Sequence, residues 1–537
     1  MARAAEIKKP ADNKKNPDKK PARKKQAVVV INGMGEQRPM ETLRSFVDTV
    51  WTTDLSLTGG IKNKTRVSDQ TGLKENKVWF VPDARAGSHE LRRITTAGDK
   101  AGRRTDFFEF YWADVMQGTT LQHLLTWLKE LLFRSPATVP RNVLDAWILL
   151  LLLSAVTAAL AAVALISSDI VAQKLYDIVF RPVVERRDFV CGVAAIIVLI
   201  VGVGRAWDGR PLAGVIVKTA FALLLIWTAY YVLGWKDIGN HPRIWAIGAS
   251  GLIGFVVHNF IVPTFGDVAR YVRAAADTVE KRDLVRNRGL ALLNRLHDSG
   301  DYDRIIVIGH SLGSILAYDL VQLLWADRAP NRANEPSAAA LKAISEIDHY
   351  VARRSEPMSH QALLAYRRAQ YKVYSELRTS KRPWLVSDFV TIGSPLTHAE
   401  FLIAKDKDEL QAFIQDRLLS KSPPEPDEDN TSITYSIGRA KPRYVHHAAA
   451  FAATRWTNIY DPNWLILFGD MISGSLTENF GQGIEEYEVE IVRPFLFGLT
   501  WRFFTHTYYW KWRDSYLKDG VPAHIGALRS AVALDDS

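Results

Sequence analysis

Residues 305–318 read Ile-Ile-Val-Ile-Gly-His-Ser-Leu-Gly-Ser-Ile-Leu-Ala-Tyr: an apolar strand enters Gly309-His310-Ser311-Leu312-Gly313 and leaves as an apolar helix. Few chain paths accommodate that pattern. A strand that turns into a helix this sharply brings its two ends together, and side chains at 309 and 313 would collide there; glycine removes them and tolerates the strained turn. The turn lifts the Ser311 hydroxyl above the edge of a sheet, the arrangement known as a nucleophile elbow. The helix then directs its free N–H groups and positive dipole end at the serine, where an oxyanion would form. The alternative reading of the same residues is a glycine-rich turn that only packs.

Other segments extend this into a sheet. Ala27-Val28-Val29-Val30-Ile31 has no polar interruption and reads as a fully buried parallel strand, leading into Asn32-Gly33-Met34-Gly35-Glu36-Gln37. Further strands are expected at 78–81, 107–111, 388–392 and 455–460, with an amphipathic helix over 277–296 feeding the elbow strand. Alternating strands and helices imply an α/β fold with a doubly wound, mostly parallel sheet. Residues 333–380 have helical periodicity and read as a cap or surface insertion. Ser420, Ser422, Pro423, Pro424, Pro426 and the acids around Asp427 read as a flexible linker. Ser394, in Gly393-Ser394-Pro395-Leu396, lacks a second glycine, and Pro395 has no N–H to donate, so it reads as part of a pocket-shaping loop.

Between the two halves of this pattern lie four long apolar stretches, at about 146–166, 189–203, 215–233 and 244–262. Each is of a length to consider as a membrane span. Lys218 stands near one end of the third, with Tyr230, Tyr231 and Trp235 near the other, positions that suit the two interfaces. A buried helical subdomain is the competing reading. If strands on both sides join one sheet, the number of crossings must be even, and four satisfies this. The organisation expected is a disordered basic tail (1–25), a first catalytic block (26–140), a four-helix transmembrane insertion (141–265) and a second catalytic block (266–530).

Charge and cysteine content narrow the setting. The net charge of +10 is concentrated in the tail, which carries Lys8, Lys9, Lys14, Lys15, Lys19, Lys20, Lys24 and Lys25 and has no apolar signal region. Such a tail is either simply solvated or drawn to anionic headgroups. No nucleic-acid recognition motif accompanies it, and no nucleic-acid partner is expected. The tail and Arg134, Arg141, Arg270 and Arg273 favour a cytoplasmic catalytic domain on an inner or other intracellular membrane; Lys174, Arg181, Arg186 and Arg187 weigh the other way. Cys191 is the only cysteine, so an internal disulfide is excluded.

A serine hydroxyl needs a base and an orienting acid to act as a nucleophile at neutral pH. Downstream candidates are His506, with His398, His446 and His447 competing, and the acids Asp461 and Asp470.

Taken in order, Asn-Gly-Met-Gly-Glu-Gln, Gly-His-Ser-Leu-Gly-Ser, Gly-Ser-Pro-Leu, Trp-Thr-Asn-Ile-Tyr and His-Thr-Tyr-Tyr-Trp resemble the lipases and esterases of the α/β-hydrolase superfamily. The stretches 309–320 and 506–510 also resemble intracellular phospholipases A1 with a DDHD domain. The resemblance covers the two flanking blocks and not the apolar stretches, which are no standard feature of these enzymes. It implies Ser311 as nucleophile, His506 as base and Asp470, in Asp470-Met471-Ile472-Ser473-Gly474, as the acid, with Asp461 as the alternative. It also implies an oxyanion hole built from the amides of Leu312 and Met34. Asn32 stands where such enzymes commonly carry histidine. The expectation is a membrane-anchored serine hydrolase acting on carboxylic esters, above all lipid or lysolipid esters, with no metal or organic cofactor. Two other outcomes stay open: a non-catalytic hydrolase shell serving interaction or signalling, and an amide- or thioester-cleaving enzyme of the same fold. Oligomeric state is not legible.

Overall fold

The structure is a computed structural model that describes residues 25–33, 39–115 and 279–535 apart from short internal segments, with isolated positions between 139 and 271. Eight strands form one sheet: β1 (Lys25–Ile31), β2 (Val78–Pro82), β3 (Arg92–Thr96), β4 (Thr105–Phe110), β5 (Tyr302–His310), β6 (Val386–Ile392), β7 (Arg455–Tyr460) and β8 (Glu485–Glu488), in the spatial order β8-β7-β6-β5-β1-β4-β3-β2. The six strands from β8 to β4 run parallel, whereas β3 and β2 add antiparallel pairings at one edge.

The central pairing joins the two halves of the chain. β1 lies between β4 and β5, in register from Gln26 opposite Arg304 to Ile31 opposite Gly309. Alternate side chains of the uninterrupted apolar strands point to opposite faces. Val29, Ile31 and Val307 enter one core cluster, and Val28, Val30, Ile306 and Ile308 the other. Both faces are therefore covered, as an all-apolar strand requires.

Helices supply the covering layers. α1 (Glu41–Val47), continued as a π-helical turn over Asp48–Thr52, buries Phe46 and Trp51 on the second face. α2 (Val279–Asp298) and α3 (Leu312–Arg328) pack on the first, with Leu292, Leu296, Leu316 and Leu320 in its core. α4 (Ala338–Val351) and α5 (His360–Leu377) start on Ser337 and Ser359, whose hydroxyls accept from the N–H groups three residues on. α6 (Ala523–Val532) closes the second face with Leu528 and Val532.

Several expectations need correction. The 333–380 segment is not a cap: Ile347, Tyr366, Val373 and Tyr374 are buried in the main core, so α4 and α5 belong to the crossover from β5 to β6. The stretch around Ser422 is not a flexible linker. Ser420 and Ser422 are fully buried, Lys421 pairs with Glu425, and Arg417 pairs with Asp427 at 2.8 Å. The domain also exceeds both expected limits. Lys25 opens β1 and pairs with Asp106 at 3.3 Å, and the Leu534 carbonyl accepts from Gln26 Nε2 at 2.8 Å. Strand β3 was not expected, because Arg92 and Arg93 break its apolar pattern.

No helix among the described residues is long and apolar enough to cross a membrane. The four apolar stretches and the lysine-rich tail lie almost wholly outside the described residues.

Candidate active site

All the parallel strands end on one edge of the sheet, and the chemistry gathers there. β5 is central and ends at His310. Ser311 follows with φ 55 and ψ −136, a left-handed backbone that a residue with a side chain seldom adopts, and α3 begins at Leu312. Such strain is retained only where the surroundings enforce it. Here the Ser311 N–H donates to the Ile392 carbonyl at 3.1 Å, and Ser314 Oγ donates to the Ser311 carbonyl at 2.6 Å. The flanking glycines are sterically compulsory. A methyl group at Gly309 would strike the Ser314 backbone, and one at Gly313 would strike the Ile31 carbonyl and Asn32.

The loop after β1 reaches the same point. A methyl group at Gly33 would lie 2.5 Å from Ser311 Cβ and 2.9 Å from its Oγ, so the glycine permits the backbone to close on the serine. Asn32 sets the loop's path: its Oδ1 accepts from Gly33 N–H at 2.9 Å, its Nδ2 donates to Thr42 Oγ1 at 2.9 Å, and its carbonyl accepts from Trp112 Nε1 at 2.9 Å. Leu312 heads α3, so its N–H has no acceptor within the helix. Met34, the other expected oxyanion donor, lies outside the described residues.

His506 and Asp470 meet. The imidazole Nδ1 stands 3.0 Å from Asp470 Oδ1 and 2.9 Å from Oδ2, both side chains being buried. The carboxylate also accepts from Tyr509 OH at 2.7 Å, Ser473 Oγ at 2.8 Å and the Ile472 N–H at 3.0 Å. Burial alone would raise its pKa. The His506 charge and the hydrogen bonds from His506, Tyr509 and Ser473 outweigh burial and hold it at about 2. An ionised acceptor at Nδ1 keeps the proton there and leaves Nε2 as the basic nitrogen.

The dyad sits beside the elbow. A methyl group at Gly393, the residue after the Ile392 carbonyl that binds Ser311, would lie 3.3 Å from His506 Cε1 and 3.2 Å from Asp470 Oδ2. Gly393 has φ 57, which only glycine adopts readily. His310 provides the second link. Its ring stacks on that of His506 with centroids 5.0 Å apart, its Nε2 lies 3.0 Å from the His506 carbonyl, and its Nδ1 lies 2.8 Å from Asn32 Oδ1. Burial, then the neighbouring His506 charge, pushes the His310 pKa down to about 3.

The rival residues are otherwise engaged. Asp461 accepts from Arg502 Nη2 and Thr505 Oγ1, each at 2.6 Å. His398 Nε2 bonds the Met471 carbonyl at 3.2 Å, His446 Nε2 the Glu425 carbonyl at 2.7 Å, and His447 Nε2 the Arg417 carbonyl at 3.1 Å. Ser394 is buried and shares a 2.6 Å hydrogen bond with Ser314 Oγ. Tyr509 and Ser473 were not expected to matter. Both lie inside motifs noted in the sequence, but nothing in those motifs says which hydroxyl would reach Asp470. A cleft of about 1150 Å³ opens between α1 with its π-helical turn (Glu41, Arg44, Asp48), the 66–69 segment and the segment after His506 (Tyr508, Trp512); neither Ser311 nor His506 lines it. Among the described residues, no group of three or more histidines, cysteines or carboxylates could hold a metal ion.

Comparison of the chain with protein-family models, with curated proteins and with solved structures gives no match.

Proposed function

We propose that this protein is a membrane-anchored serine hydrolase of the α/β-hydrolase type, and that it cleaves carboxylic esters of lipids or lysolipids. The observation that carries the reading is the convergence of three separate segments at one sheet edge: the strained Ser311, the buried His506–Asp470 pair and the Asn32–Gly33 loop. The order β4-β1-β5-β6-β7-β8 supports it, because the nucleophile follows the central strand, the oxyanion loop its neighbour, and the acid and histidine come later in the chain.

In this reading, His506 Nε2 takes the Ser311 proton as Oγ attacks the ester carbonyl. Asp470 holds the imidazole and stabilises its cation without taking the proton. The Leu312 amide and an amide of the 33–34 loop stabilise the oxyanion, by about 3 kcal/mol per donor in comparable sites. His506 returns the proton to the leaving alcohol as the C–O bond breaks. Water then attacks the acyl-enzyme by the same route and releases the acid. The lipid assignment rests on the apolar stretches inserted between β4 and β5. Tethering at a bilayer raises the effective concentration of amphiphilic esters near the site.

The full chain in detergent should release fatty acid from lysolipid and short-chain nitrophenyl esters, and Ser311→Ala should lower that rate at least a thousandfold. Rates equal in the two proteins would favour the non-catalytic shell. Activity on thioesters or amides alone would reassign the substrate class.

A further inference from the structure

One turn past Ser311, a cavity of about 310 Å³ opens along α3. It is walled by Ile315 and Asp319 of that helix, Arg282 and Arg286 of α2, Tyr271 and Arg417. Among the described residues, its lining carries three arginines and one carboxylate. Asp319 Oδ2 is engaged by Arg286 Nη2 at 2.5 Å, Arg286 Nε at 3.2 Å and Tyr271 OH at 2.7 Å. Arg417 is matched by Asp427 at 2.8 Å. Arg282 makes no direct ion pair among the described residues, Asp319 acting on it only at longer range; its Nε is buried without an acceptor, and its guanidinium carbon stands 5.7 Å from the Tyr271 ring centroid. Burial, and then the adjacent Arg286 charge, pushes the Arg282 pKa down. A part-buried cation beside a second cation is costly unless an anion compensates it.

We propose that this cavity binds a phosphate group between Arg282 and Arg286, with the apolar part of the ligand lying against Leu323 and Leu418. The two arginines are four residues apart on α2 and so lie on one face, where two planar forks can grip one tetrahedral anion. Arg286 commits Nε and Nη2 to Asp319, which leaves Nη1 for the ligand. Leu323 and Leu418 line the same cavity yet are 40% and 65% exposed, an apolar margin that an ion alone would not use. Arg417 stands at φ 61, a conformation its side chain disfavours, beside Leu418 at this margin. Asp319 lies eight residues beyond Ser311, about 12 Å along the helix axis, so the phosphate is held apart from the reacting ester. The site does not depend on Ser311 being a nucleophile.

Calorimetric titration of the full-length Ser311→Ala protein in detergent tests this, since no ester is consumed. The probes are inorganic phosphate, dihexanoylglycerol phosphate and neutral dihexanoylglycerol. Dihexanoylglycerol phosphate is expected to bind, with Arg282→Gln weakening it at least tenfold and Arg282→Lys less. Leu418→Ser should weaken the phosphorylated lipid and leave inorganic phosphate unchanged. Inorganic phosphate binding as tightly as the phosphorylated lipid would identify the free ion as the ligand. Absence of binding by both phosphate probes, or affinities that neither Arg282 variant changes, would overturn the proposal. Arg282→Lys keeps the charge and serves if the glutamine variant does not fold.

Discussion

At the scale of single residues, the site separates Asp470, the acid that the resemblance implied, from its alternative Asp461. Both follow β7, and either could have reached His506. Arg502 and Thr505 hold Asp461, while Tyr509, Ser473 and the Ile472 N–H present Asp470 to the imidazole. Arg502, Thr505 and Tyr509 lie 39 to 44 positions from the acids they sort, and Ser473 and Ile472 act from a loop with no repeating pattern, so no local reading could have found them. Asp470→Asn is expected to lower kcat for ester hydrolysis by about 10³–10⁴-fold, since the amide favours the wrong imidazole tautomer. Asp461→Asn should cost less than about tenfold in kcat, through the loop alone. Comparable losses in the two variants would undo the assignment. Asp470 also contributes stability. Its folded pKa of about 2 lies below the unfolded value of about 3.9, so that stability is present above pH 4 and is lost as pH falls toward 2.

At the scale of elements, the elbow was legible because its cause is local and steric. Gly309 and Gly313 are needed at the spacing that lets α3 fold back on β5, and the structure shows backbone atoms where their side chains would be. Gly393 serves the same end less visibly, since its constraint comes from Tyr509, Asp470 and His506, all distant in sequence. Gly313→Ala is expected to destabilise the fold by more than about 3 kcal/mol, because β1 cannot retreat from the middle of the sheet. Denaturant unfolding would measure this, and a loss under 1 kcal/mol would mean that the elbow can relax. Gly393→Ala should leave the fold nearer to intact and lower kcat, as the methyl group displaces the imidazole. The misreading of 333–380 has an equally physical origin. α5 turns Tyr366, Val373 and Tyr374 into the core but interleaves them with Arg367, Arg368 and Lys372, so its covering face reads in the sequence as polar surface.

At the scale of the whole molecule, a sheet assembled from both sides of the apolar stretches was foreseeable from strand character. Strands β3 and β8 were not, because Arg92 and Arg93 in the one and Glu485, Glu486 and Glu488 in the other leave no apolar signature. The same packing buries several histidines in neutral form. Burial is the first cause in each case and lowers the pKa to about 3 at His297 and His310 and to about 4 at His398, His446 and His524. The unfolded chain binds protons at these sites below about pH 6.5 and the folded chain does not, so stability falls as pH drops from 6.5 toward 4. Each site contributes up to about 1.4 kcal/mol per pH unit in that window. Glu109 opposes them. Burial raises its pKa to about 7, so its contribution is present below about pH 4.3 and is lost as pH rises through 7. Asp48, Glu400 and Asp461 are also raised by burial and act in the same sense as Glu109. Thermal unfolding between pH 7 and 5 should show a falling Tm, since these five histidines among the described residues are shifted furthest across that window; a Tm that rises over this range would mean that the histidines are charged in the folded protein.

The account rests on Ser311 being activated by an imidazole that reaches it from the far end of the chain. A fluorophosphonate reacts only with such a serine, and peptide mass spectrometry of the full-length protein locates the adduct. One adduct on Ser311, formed at least a hundredfold more slowly in His506→Gln, is the predicted result. No adduct at Ser311, or an equal labelling rate in His506→Gln, would contradict it.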